Sequence, residues 1–385
     1  MARRRLSTRI FHDRGRYLPP EKGSYSLIGN RHIAIYLPSL RGGGAERVMV
    51  TLANAFAAKG HRVDLVLVKA EGPYMAEVSA AVNIVDLGCQ RVLSSFWPLV
   101  RYLRRARPAS LLSALYHANL LAILARAAAR TGTRLIVSER NSLNRRRPGR
   151  LTRHAMRRLY PFADWVVAVS RGIAQQLIAD VGVPSHQVIS IPNPVDIDKI
   201  VALSACRPPH PWLAEGEPPV ILAVGRLEEQ KDYFLLLDAF AKIRSESPVR
   251  LVILGEGSLR GALEQHIASS GLASSVILPG FQPNPFGWMG ACTAYAMSSR
   301  HEGFPNSLVQ ALACGVPVVS TDCPTGPHEI LEGGKWGRLV PVGDVDAFAE
   351  ALREALHVPK GRDVSAMLQN FRESKIAKDY ETLLT

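Results

Sequence analysis

The sequence predicts an α/β protein built from two doubly wound domains that face each other across a cleft. Short β-branched runs alternate with helical patterns along most of the chain, which is typical of βα units and parallel sheets. The alternation breaks at a Pro-rich stretch, residues 206–220, and then starts again. The 385 residues also exceed the roughly 150 residues expected of a single domain.

Each predicted strand is a short apolar run that precedes a turn or a helical pattern. The helical pattern of residues 45–60 shows the alternation clearly, because it follows the first strand and stops at Gly60. The predicted strands are residues 33–38, 62–68, 83–87, 110–114, 134–139 and 165–170 in the first half, and residues 220–225, 250–255, 275–280, 294–299 and 317–321 in the second.

These patterns divide the chain into a tail and two domains. We expect residues 1–30 to form a basic flexible tail, residues 31–192 the first domain and residues 193–365 the second. The last segment, residues 366–385, has a helical pattern with no strand after it. It is either a plain C-terminal helix or a helix that crosses back onto the first domain.

Charge separates the two halves of the chain. Residues 1–190 contain 30 Lys and Arg against 10 Asp and Glu, whereas residues 191–385 contain 17 against 23. The basic half suits an anionic membrane surface, a phosphate-bearing substrate or a merely solvated face. Neither zinc-finger spacing nor an RNP-like aromatic pattern occurs, so we expect no nucleic-acid partner.

Targeting and metal-binding patterns are missing from the sequence. No apolar run approaches the ~20 residues of a membrane helix, and the basic N-terminus lacks the apolar core of a secretory signal. The five cysteines are scattered, with no CxxC and no Cys/His pair at metal-ligand spacing. We therefore expect reduced core cysteines in a cytoplasmic protein.

Three consecutive glycines, Gly42, Gly43 and Gly44, separate the first predicted strand from the next helix. Such a loop either makes a tight turn or lets backbone amides approach an anion at the helix N-terminus. The spacing is not GxGxxG, which argues against a nicotinamide cofactor. In the second glycine-rich stretch, GEGSLRG at 255–261, the third glycine falls one residue late, so we expect a plain turn.

Two cations flank the turn after the strand at 220–225. In VGRLEEQKD, Arg226 offers a forked donor and Lys231 a compact charge, and together they suit a diphosphate. Two solvated surface cations are the alternative for this segment alone.

The most specific stretch is RHEGFPNSLVQALACGVPVVST, residues 300–321. Pro305 fits a first helical turn, Asn306 and Ser307 have the side chains of helix caps, and Gly315 fits the end of the helix. The first-turn amides would form an anion site. Glu302 stands just ahead of this turn, and solvation alone does not explain so many turn residues at one spot.

These motifs, in this order, resemble glycosyltransferase family 4, a family of retaining, nucleotide-sugar-dependent enzymes with the GT-B fold. The resemblance rests on RGGGAERV, VGRLEEQKD and the RHEGFPNSLVQALACGVPVVSTDCPTGPHEI segment, and it covers roughly residues 31–385. The TDCPTGPHEIL extension is similar to bacterial members that build surface glycans or lipid-linked oligosaccharides, often from UDP-N-acetylhexosamines. In this family the C-terminal helix returns to the first domain.

The resemblance implies a role for each motif. Arg226 and Lys231 would hold the donor diphosphate and stabilise the leaving nucleotide, and Glu302 would face the sugar hydroxyls. The loop with Gly43 and Gly44 would approach the phosphates and the acceptor from the other domain. The remaining implied donor-binding residues are Gly280, Phe281 and Gln282 at the base, and Gly303, Phe304, Pro305, Asn306, Ser307 and Gln310 around the phosphate, sugar and ribose.

Gln310 departs from the family pattern, which has a second Glu eight residues after the first and uses it to bind the ribose. An amide oxygen still accepts a hydroxyl proton, but charge assistance roughly doubles the strength of such a bond. Weaker donor binding, a different grip on the nucleotide and loss of turnover are therefore the three alternatives for this chain.

Acceptor-side residues are expected at the carboxyl ends of first-domain strands. His117 follows one strand and is either an acceptor-orienting residue or a partly buried structural histidine. Glu139, Arg140 and Asn141 end another strand and would touch the acceptor or the donor.

The implied reaction is retaining transfer from a UDP-sugar, without a cofactor. The resemblance implies no metal, and no pair of cleft carboxylates of the kind used by retaining hydrolases is apparent. The implied acceptor is a glycan or a polyprenyl-diphosphate-linked sugar, with the basic half peripheral on the inner membrane face. Two rivals remain. One is a phosphorylase or an inverting GT-B enzyme, the latter with His117 as base, and the other is a non-catalytic sugar-nucleotide-binding subunit.

Overall fold

Two parallel sheets, each flanked by helices, make up the computed structural model, which describes residues 30–41, 43–140 and 149–384. The strands of the first sheet are β1 His32–Leu37, β2 Arg62–Leu67, β3 Val82–Asp86, β4 Ser110–Ala114, β5 Arg134–Glu139, β6 Trp165–Ala168 and β7 Val188–Ser190. Those of the second sheet are β8 Val220–Val224, β9 Arg250–Leu254, β10 Val276–Gly280, β11 Ala294–Met297, β12 Val318–Thr321 and β13 Arg338–Val340.

Helices connect the strands on both faces of each sheet. In the first half they are α1 Gly44–Ala58, α2 Phe96–Ala106, α3 Tyr116–Ala129, α4 Arg150–Leu159 and α5 Arg171–Gln176. In the second half they are α6 Ile197–Ser204, α7 Tyr233–Arg244, α8 Arg260–Ser269, α9 Pro285–Ala291, α10 Asn306–Ala313, α11 Pro327–Ile330, α12 Val345–Ala355, α13 Ser365–Leu368 and α14 Glu373–Leu384.

The strand order makes both sheets doubly wound, as the sequence predicts. The first sheet runs β3-β2-β1-β4-β5-β6-β7 and the second β10-β9-β8-β11-β12-β13, with parallel pairing throughout. In such a sheet the order reverses between the first and fourth strands, and ligands bind beyond the carboxyl ends of the strands at that point. Ligand-binding crevices are therefore expected beyond β1 and β4 in the first sheet, and beyond β8 and β11 in the second.

Two strands were missed by the sequence analysis, and both are short edge strands. β7, Val188–Ser190, lies in a segment rich in Pro and polar residues, and β13, Arg338–Val340, has only three residues. Each pairs on one side with a longer inner strand, β6 or β12. Three residues give too short an alternation to distinguish a strand from a loop.

Two chain segments cross between the domains side by side. The backbone N–H of Val195 donates to the carbonyl of Phe371 at 2.8 Å, and Val195 and Arg372 form an isolated parallel bridge. The Pro-rich stretch that suggested a junction, residues 206–220, comes after α6, and its Leu213 packs in the second domain. The first crossing lies at residues 191–196, before that stretch.

The C-terminal segment divides between the domains. Met367, Leu368 and Phe371 pack in the second-domain core, so the part that returns to the first domain is α14, Glu373–Leu384, which starts later than the expected residue 366. Glu381 of α14 is buried, and its carboxylate accepts from Lys59 Nζ at 2.8 Å and His61 Nε2 at 3.2 Å. This ion pair fixes α14 against the end of α1.

Apolar clusters fill both faces of each sheet, because the inner strands are buried on two sides. The five cysteines are free, as expected, but only Cys292 and Cys323 are buried and Cys206 is exposed, so the expectation that all are core residues was wrong. Within the described residues, every helix is too short or too polar to cross a membrane.

Candidate functional site

The loops after β8 and β11 meet at the reversal point of the second sheet. Lys231 Nζ donates to Glu302 Oε1 at 2.7 Å, and Ser299 Oγ donates to the same oxygen at 2.8 Å. The two charged side chains are largely buried, with 17% and 8% of their surface exposed. Two of the three residues implied as catalytic are therefore in direct contact.

Neighbouring bonds hold these two loops together. Arg300 makes a forked pair with Asp232, at 2.7 and 3.1 Å, and Asp232 has left-handed backbone (φ 48°) just ahead of α7. Gln230 Nε2 donates to the carbonyl of His301 at 2.8 Å, and Ser298 Oγ donates to the carbonyl of Lys231 at 2.6 Å. The positions of the ammonium and the carboxylate are thus set by side chain and backbone together.

Gly225, the last residue before the first of these loops, leaves room for the Lys231 side chain. A Cβ at Gly225 would lie 2.8 Å from Lys231 Cε and 2.9 Å from the Tyr233 hydroxyl oxygen. Real Cβ atoms do not approach so closely. Any larger residue at this position must therefore displace the lysine or the tyrosine.

The amino ends of α1 and α10 approach each other across the cleft. A Cβ on Gly44 would lie 3.8 Å from Asn306 Nδ2. The cap positions, Gly43 and Pro305, supply no side-chain hydrogen bond, but at α1 the carboxylate of Glu46 folds back against Gly43. The first turn of α10 has no acidic residue, so its N-terminus favours an anion on the cleft side.

The capping role expected for Asn306 and Ser307 was wrong. The helix begins at Asn306 itself, with Pro305 at the cap position. The side chain of Asn306 is instead held across the domain boundary, where its Oδ1 accepts from Asn193 Nδ2 at 2.9 Å. The amides of the first turn therefore stay open to the cleft.

Arg226 lies apart from the Lys231–Glu302 pair. Its guanidinium is largely exposed and pairs with Glu228 at 2.9 Å. The turn implied to face the base is also near the surface: Phe281 is 74% exposed, and Gln282 Nε2 donates to the carbonyl of Pro279 at 3.2 Å. These residues form the outer part of the site.

Phe304 and Gln310 differ in the contacts that their side chains make, although both lie in the same stretch as Gly303. Gly303 and Gln310 are half-buried. The ring of Phe304 packs against the apolar clusters of both domains and lies 5.6 Å from the ring of Phe371. Within the described part of the chain, Gln310 has no side-chain hydrogen bond, so its amide is available to a ligand.

His117 lies at the reversal point of the first sheet, in the first turn of α3. Its side chain reaches solvent, and partial desolvation of the ring lowers its pKa. The preceding Leu115 has φ 77°, a left-handed value that is rare for a bulky residue. His117 is thus an accessible but partly desolvated residue on the first-domain side.

Glu139 is buried and does not line the cleft. Its Oε1 accepts from Asn119 Nδ2 at 3.0 Å and from the Tyr160 hydroxyl, and burial raises its pKa to about 7. The expected contact between Glu139 and a substrate is therefore absent from this arrangement. Gly42 and Asn141 lie outside the described residues.

Arg140 is a buried cation next to the domain crossing. Its guanidinium donates to Asn193 Oδ1 and, at 3.4 Å, to Ser138 Oγ, and burial lowers its pKa. Because Asn193 also donates to Asn306, a chain of three polar side chains links β5 to the amino end of α10.

Comparison with known proteins agrees with this geometry. Residues 42–199 match a family described as Glycosyltransferase Family 4, and residues 218–357 match Glycosyl transferases group 1. A Campylobacter jejuni N-acetylgalactosamine-N,N'-diacetylbacillosaminyl-diphospho-undecaprenol 4-alpha-N-acetylgalactosaminyltransferase is 28% identical over 376 residues, 90% of this chain and 97% of that protein. Together the two matches cover most of the chain, which is a family 4-like glycosyltransferase.

Other relatives of this glycosyltransferase are similar over different lengths. Rhizobium meliloti LpsE, a lipopolysaccharide core biosynthesis glycosyltransferase, is 27% identical, with 81% of this chain and 85% of that protein covered. A Salmonella typhimurium lipopolysaccharide 1,6-galactosyltransferase is 31% identical over 51% of this chain and 53% of its own length.

Solved structures confirm the GT-B fold. Anabaena HepE in complex with UDP superposes with a TM-score of 0.76 at 21% identity, over 92% of this chain and 99% of that one. The apo form of the lipopolysaccharide galactosyltransferase WaaB gives 0.73 at 22% identity, over 91% and 98%. At these identities the superpositions establish the fold of the glycosyltransferase.

Several residues of the site were missed by the sequence analysis. Ser299, Arg300, Asp232 and Asn193 are short or charged residues beside the recognised motifs, and nothing in their local pattern distinguishes them. Their partners lie at sequence distances of 3, 68, 68 and 113 residues, and only the folded chain brings the distant ones together. In the described residues, no three His, Cys, Asp or Glu side chains are grouped as metal ligands would be.

Proposed function

We propose that this glycosyltransferase moves a hexose or N-acetylhexosamine from a UDP-sugar, with retention, to a glycan or lipid-linked acceptor of bacterial surface-glycan synthesis. The observation that carries the proposal is the Lys231–Glu302 pair at the reversal point of the second sheet, close to the facing amino ends of α1 and α10. A cation, open helix amides and a carboxylate are the groups that a sugar diphosphate requires.

The donor diphosphate would bind between Lys231 and the first turn of α10. An ammonium has three donors, and Glu302 takes one of those of Lys231, so the others are available to phosphate oxygens. The amides of Asn306 and Ser307 would add fixed dipoles. Such preorganised positive groups stabilise charge that develops on a leaving diphosphate, and the loss of one costs about 10²–10³ in rate.

The donor sugar would lie against Glu302. The side chains of Lys231 and Ser299 both donate to Oε1 of this carboxylate, which leaves Oε2 to accept from a sugar hydroxyl. The ribose would lie near Gln310, whose amide has no partner of its own in the described chain. Arg226 would release its ion pair with Glu228 and bind the outer phosphate instead.

We include retention in the proposal because the family that the sequence resembles is retaining. Glu302 is engaged by Lys231 and Glu139 is buried, so the proposal assigns neither carboxylate as a nucleophile. The acceptor hydroxyl would attack the anomeric carbon on the face that the diphosphate leaves. The carbon–phosphate oxygen bond breaks, the new glycosidic bond forms, and the departing phosphate oxygen takes the hydroxyl proton. The proposal requires no metal or cofactor.

A lipid-linked acceptor accounts for the basic first half. Between Asp86 and Asp164 the chain has 16 Arg, no Lys and a single acid, Glu139, which is buried. Helices α2, α3 and α4 pack side by side in this stretch, and α3 starts at the cleft. Leu93, Trp97, Leu151 and Phe162 are each 65% exposed or more beside these arginines. We propose that this arginine-rich layer lies on an anionic membrane at the inner face.

The relatives support a diphosphate-lipid or lipopolysaccharide acceptor. The Campylobacter jejuni protein acts on a diphospho-undecaprenol-linked sugar, and the Rhizobium meliloti and Salmonella typhimurium proteins act in lipopolysaccharide synthesis, as their names state. The first of these shares nearly its entire length with this chain. Its acceptor class is therefore the first to test.

UDP release with a panel of UDP-hexoses and UDP-N-acetylhexosamines, with and without an undecaprenyl-diphosphate-linked sugar, tests the proposal. Acceptor-dependent release from one donor, lost in Glu302→Ala, is the expected result. If the parent chain is inactive and Gln310→Glu creates activity, the non-catalytic alternative is correct instead. An inverted product that depends on His117 would establish the inverting alternative.

A further inference from the structure

The side chain of Glu329 makes hydrogen bonds between the two domains. It lies on α11 of the second domain, and its carboxylate accepts two backbone hydrogen bonds from the start of α5 in the first domain. Oε2 lies 2.8 Å from the N–H nitrogen of Arg171, and Oε1 lies 2.8 Å from that of Gly172. One side chain therefore binds two adjacent amides of the other domain.

The start of α5 needs this carboxylate because its own sequence provides only part of a cap. Ser170 Oγ accepts from the Ile173 amide at 3.3 Å, which leaves the amides of Arg171 and Gly172. A helix often satisfies such amides with an acidic residue of its own first turn, but α5 has none. A carboxylate is also favoured there by the helix dipole.

Close packing accompanies the hydrogen bonds. A Cβ at Gly172 would lie 2.6 Å from Thr325 Cγ2 and 3.1 Å from the carbonyl oxygen of Pro324. The start of α5 and the segment 324–329 are thus in direct contact, and only glycine at position 172 permits this approach.

The same segment also contacts the loop that carries Glu302. The Thr325 hydroxyl donates to the backbone carbonyl of Glu302. Gly326 has φ 96°, and a Cβ there would lie 2.5 Å from Pro305 Cδ. Residues 324–329 therefore stand between α5 of the first domain and the Glu302–Pro305 loop of the second.

We propose that Glu329 is a positioning residue that couples the spacing of the two domains to the geometry of the Glu302 loop. Interfaces between domains of one chain are generally small enough to permit relative motion, so a bidentate contact of this kind selects one spacing. The inference rests on the proposed function, because Glu302 is assigned to the donor sugar. Glu329 itself does not touch the substrate.

This role predicts a specific kinetic signature. The donor site is built on the second domain, so UDP binding survives when the contact is broken. Transfer requires the acceptor side of the first domain at the correct distance, so kcat falls. Glu329→Gln keeps the shape but removes the charge, and we expect kcat to fall about tenfold, the factor that corresponds to about 1.4 kcal/mol.

The experiment compares Glu329→Gln, Gly172→Ala and their combination with the control Glu332→Gln. Glu332 is an acid three residues after Glu329, and it pairs with Lys335 at 3.0 Å. We expect both single variants to raise the radius of gyration in small-angle scattering and to lower kcat, with the UDP dissociation constant within about twofold of the parent. The double variant is expected to match the worse single variant, since both break one contact.

The outcomes separate this inference from the proposed function. An unchanged radius and unchanged kcat in Glu329→Gln, with transfer still lost in Lys231→Met, overturn the positioning role and leave the proposed function intact. If the parent transfers no sugar while Glu329→Gln still expands the molecule, the proposed function is wrong and the domain contact stands. A fall in UDP affinity equal to the fall in kcat also contradicts the inference.

Discussion

Lys231 and Glu302 are 71 residues apart in sequence, and their side chains meet at 2.7 Å beyond the carboxyl ends of β8 and β11. Ser299 completes the contact through the same carboxylate oxygen. This pair places a cation and an acid at the reversal point of the sheet, where doubly wound folds bind ligands. The proposed function depends on this pair.

Lys231→Met removes the cation and leaves Glu302 buried without it. We expect kcat/KM for the sugar donor to fall by about 10²–10³, the range typical of a lost preorganised donor. The control is Lys242→Met, which breaks an exposed pair with Asp346 in the same domain. UDP release measures both variants, and equal losses in the two would contradict a specific role for Lys231.

Gly225→Ala tests the packing beneath Lys231. The new methyl group would displace Lys231 Cε or the Tyr233 hydroxyl. We expect activity to fall at least about tenfold, because moving a catalytic group by about 1 Å lowers the rate by that factor or more. Gly261→Ala is the control, because a Cβ there meets no atom within 4 Å. Activity assays measure this effect, and thermal melts check that both variants are folded. A Gly225→Ala variant as active as the control would contradict the packing role of Gly225.

Gln310→Glu adds the charge that the family pattern has at this position. A charged acceptor makes hydrogen bonds roughly twice as strong, so we expect the dissociation constant of UDP to fall by about tenfold. Gln369→Glu, on an exposed turn of the same domain, is the control. Calorimetric titration with UDP measures the change, and equal affinities for the parent and Gln310→Glu would place the ribose elsewhere.

The burial of Glu139 predicts a pH-dependent stability. Burial raises its pKa to about 7, so the folded protein holds a proton that the unfolded chain releases near pH 4.5. The free energy of unfolding therefore falls as pH rises from about 4.5 to 7, by roughly 3 kcal/mol from this group. Glu139→Gln removes this dependence, so its stability relative to the parent should rise between pH 5 and pH 8.

Denaturant unfolding at the two pH values measures this difference. Asp180→Asn, a variant of an exposed acid on the same domain, controls for general charge effects. A parent and Glu139→Gln whose stabilities keep a constant difference from pH 5 to pH 8 would contradict the raised pKa.

The arginine-rich layer predicts binding to anionic vesicles. Leu93→Ser with Trp97→Ser removes two exposed apolar side chains at the start of α2 without touching the cleft. We expect flotation with phosphatidylglycerol vesicles to drop several-fold, because exposed aromatic and aliphatic groups anchor basic surfaces in the interface. Val201→Ser with Val358→Ser, exposed residues of the second domain, is the control. Equal flotation of the two double variants would contradict this membrane face.

The sequence predicted the fold well because its signals are local. Eleven of the strands are apolar runs with clear boundaries, and the glycine-rich and Pro305 turns mark the helix starts that follow. The error at the start of α10 comes from a long-range contact that a local pattern does not show. Asn306 is a residue type typical of helix caps, but its side chain is held by Asn193, which is 113 residues away in the segment that crosses between the domains.

The candidate site was predictable in its motifs and not in its contacts. Lys231 and Glu302 were each identified, but their direct pairing depends on the parallel packing of β8 and β11. Glu139 ends a strand as a cleft residue would, yet Tyr160 and Asn119 cover it. Burial of a strand-terminal side chain is decided by the helices above it, which the local pattern does not specify.

The most direct test of the proposed function follows the transfer reaction by proton NMR with the active UDP-sugar and a lipid-linked acceptor. We predict a product with the anomeric configuration of the donor, formed by the parent and Lys242→Met but not by Lys231→Met. A product with inverted configuration, or undiminished product from Lys231→Met, would contradict the proposal.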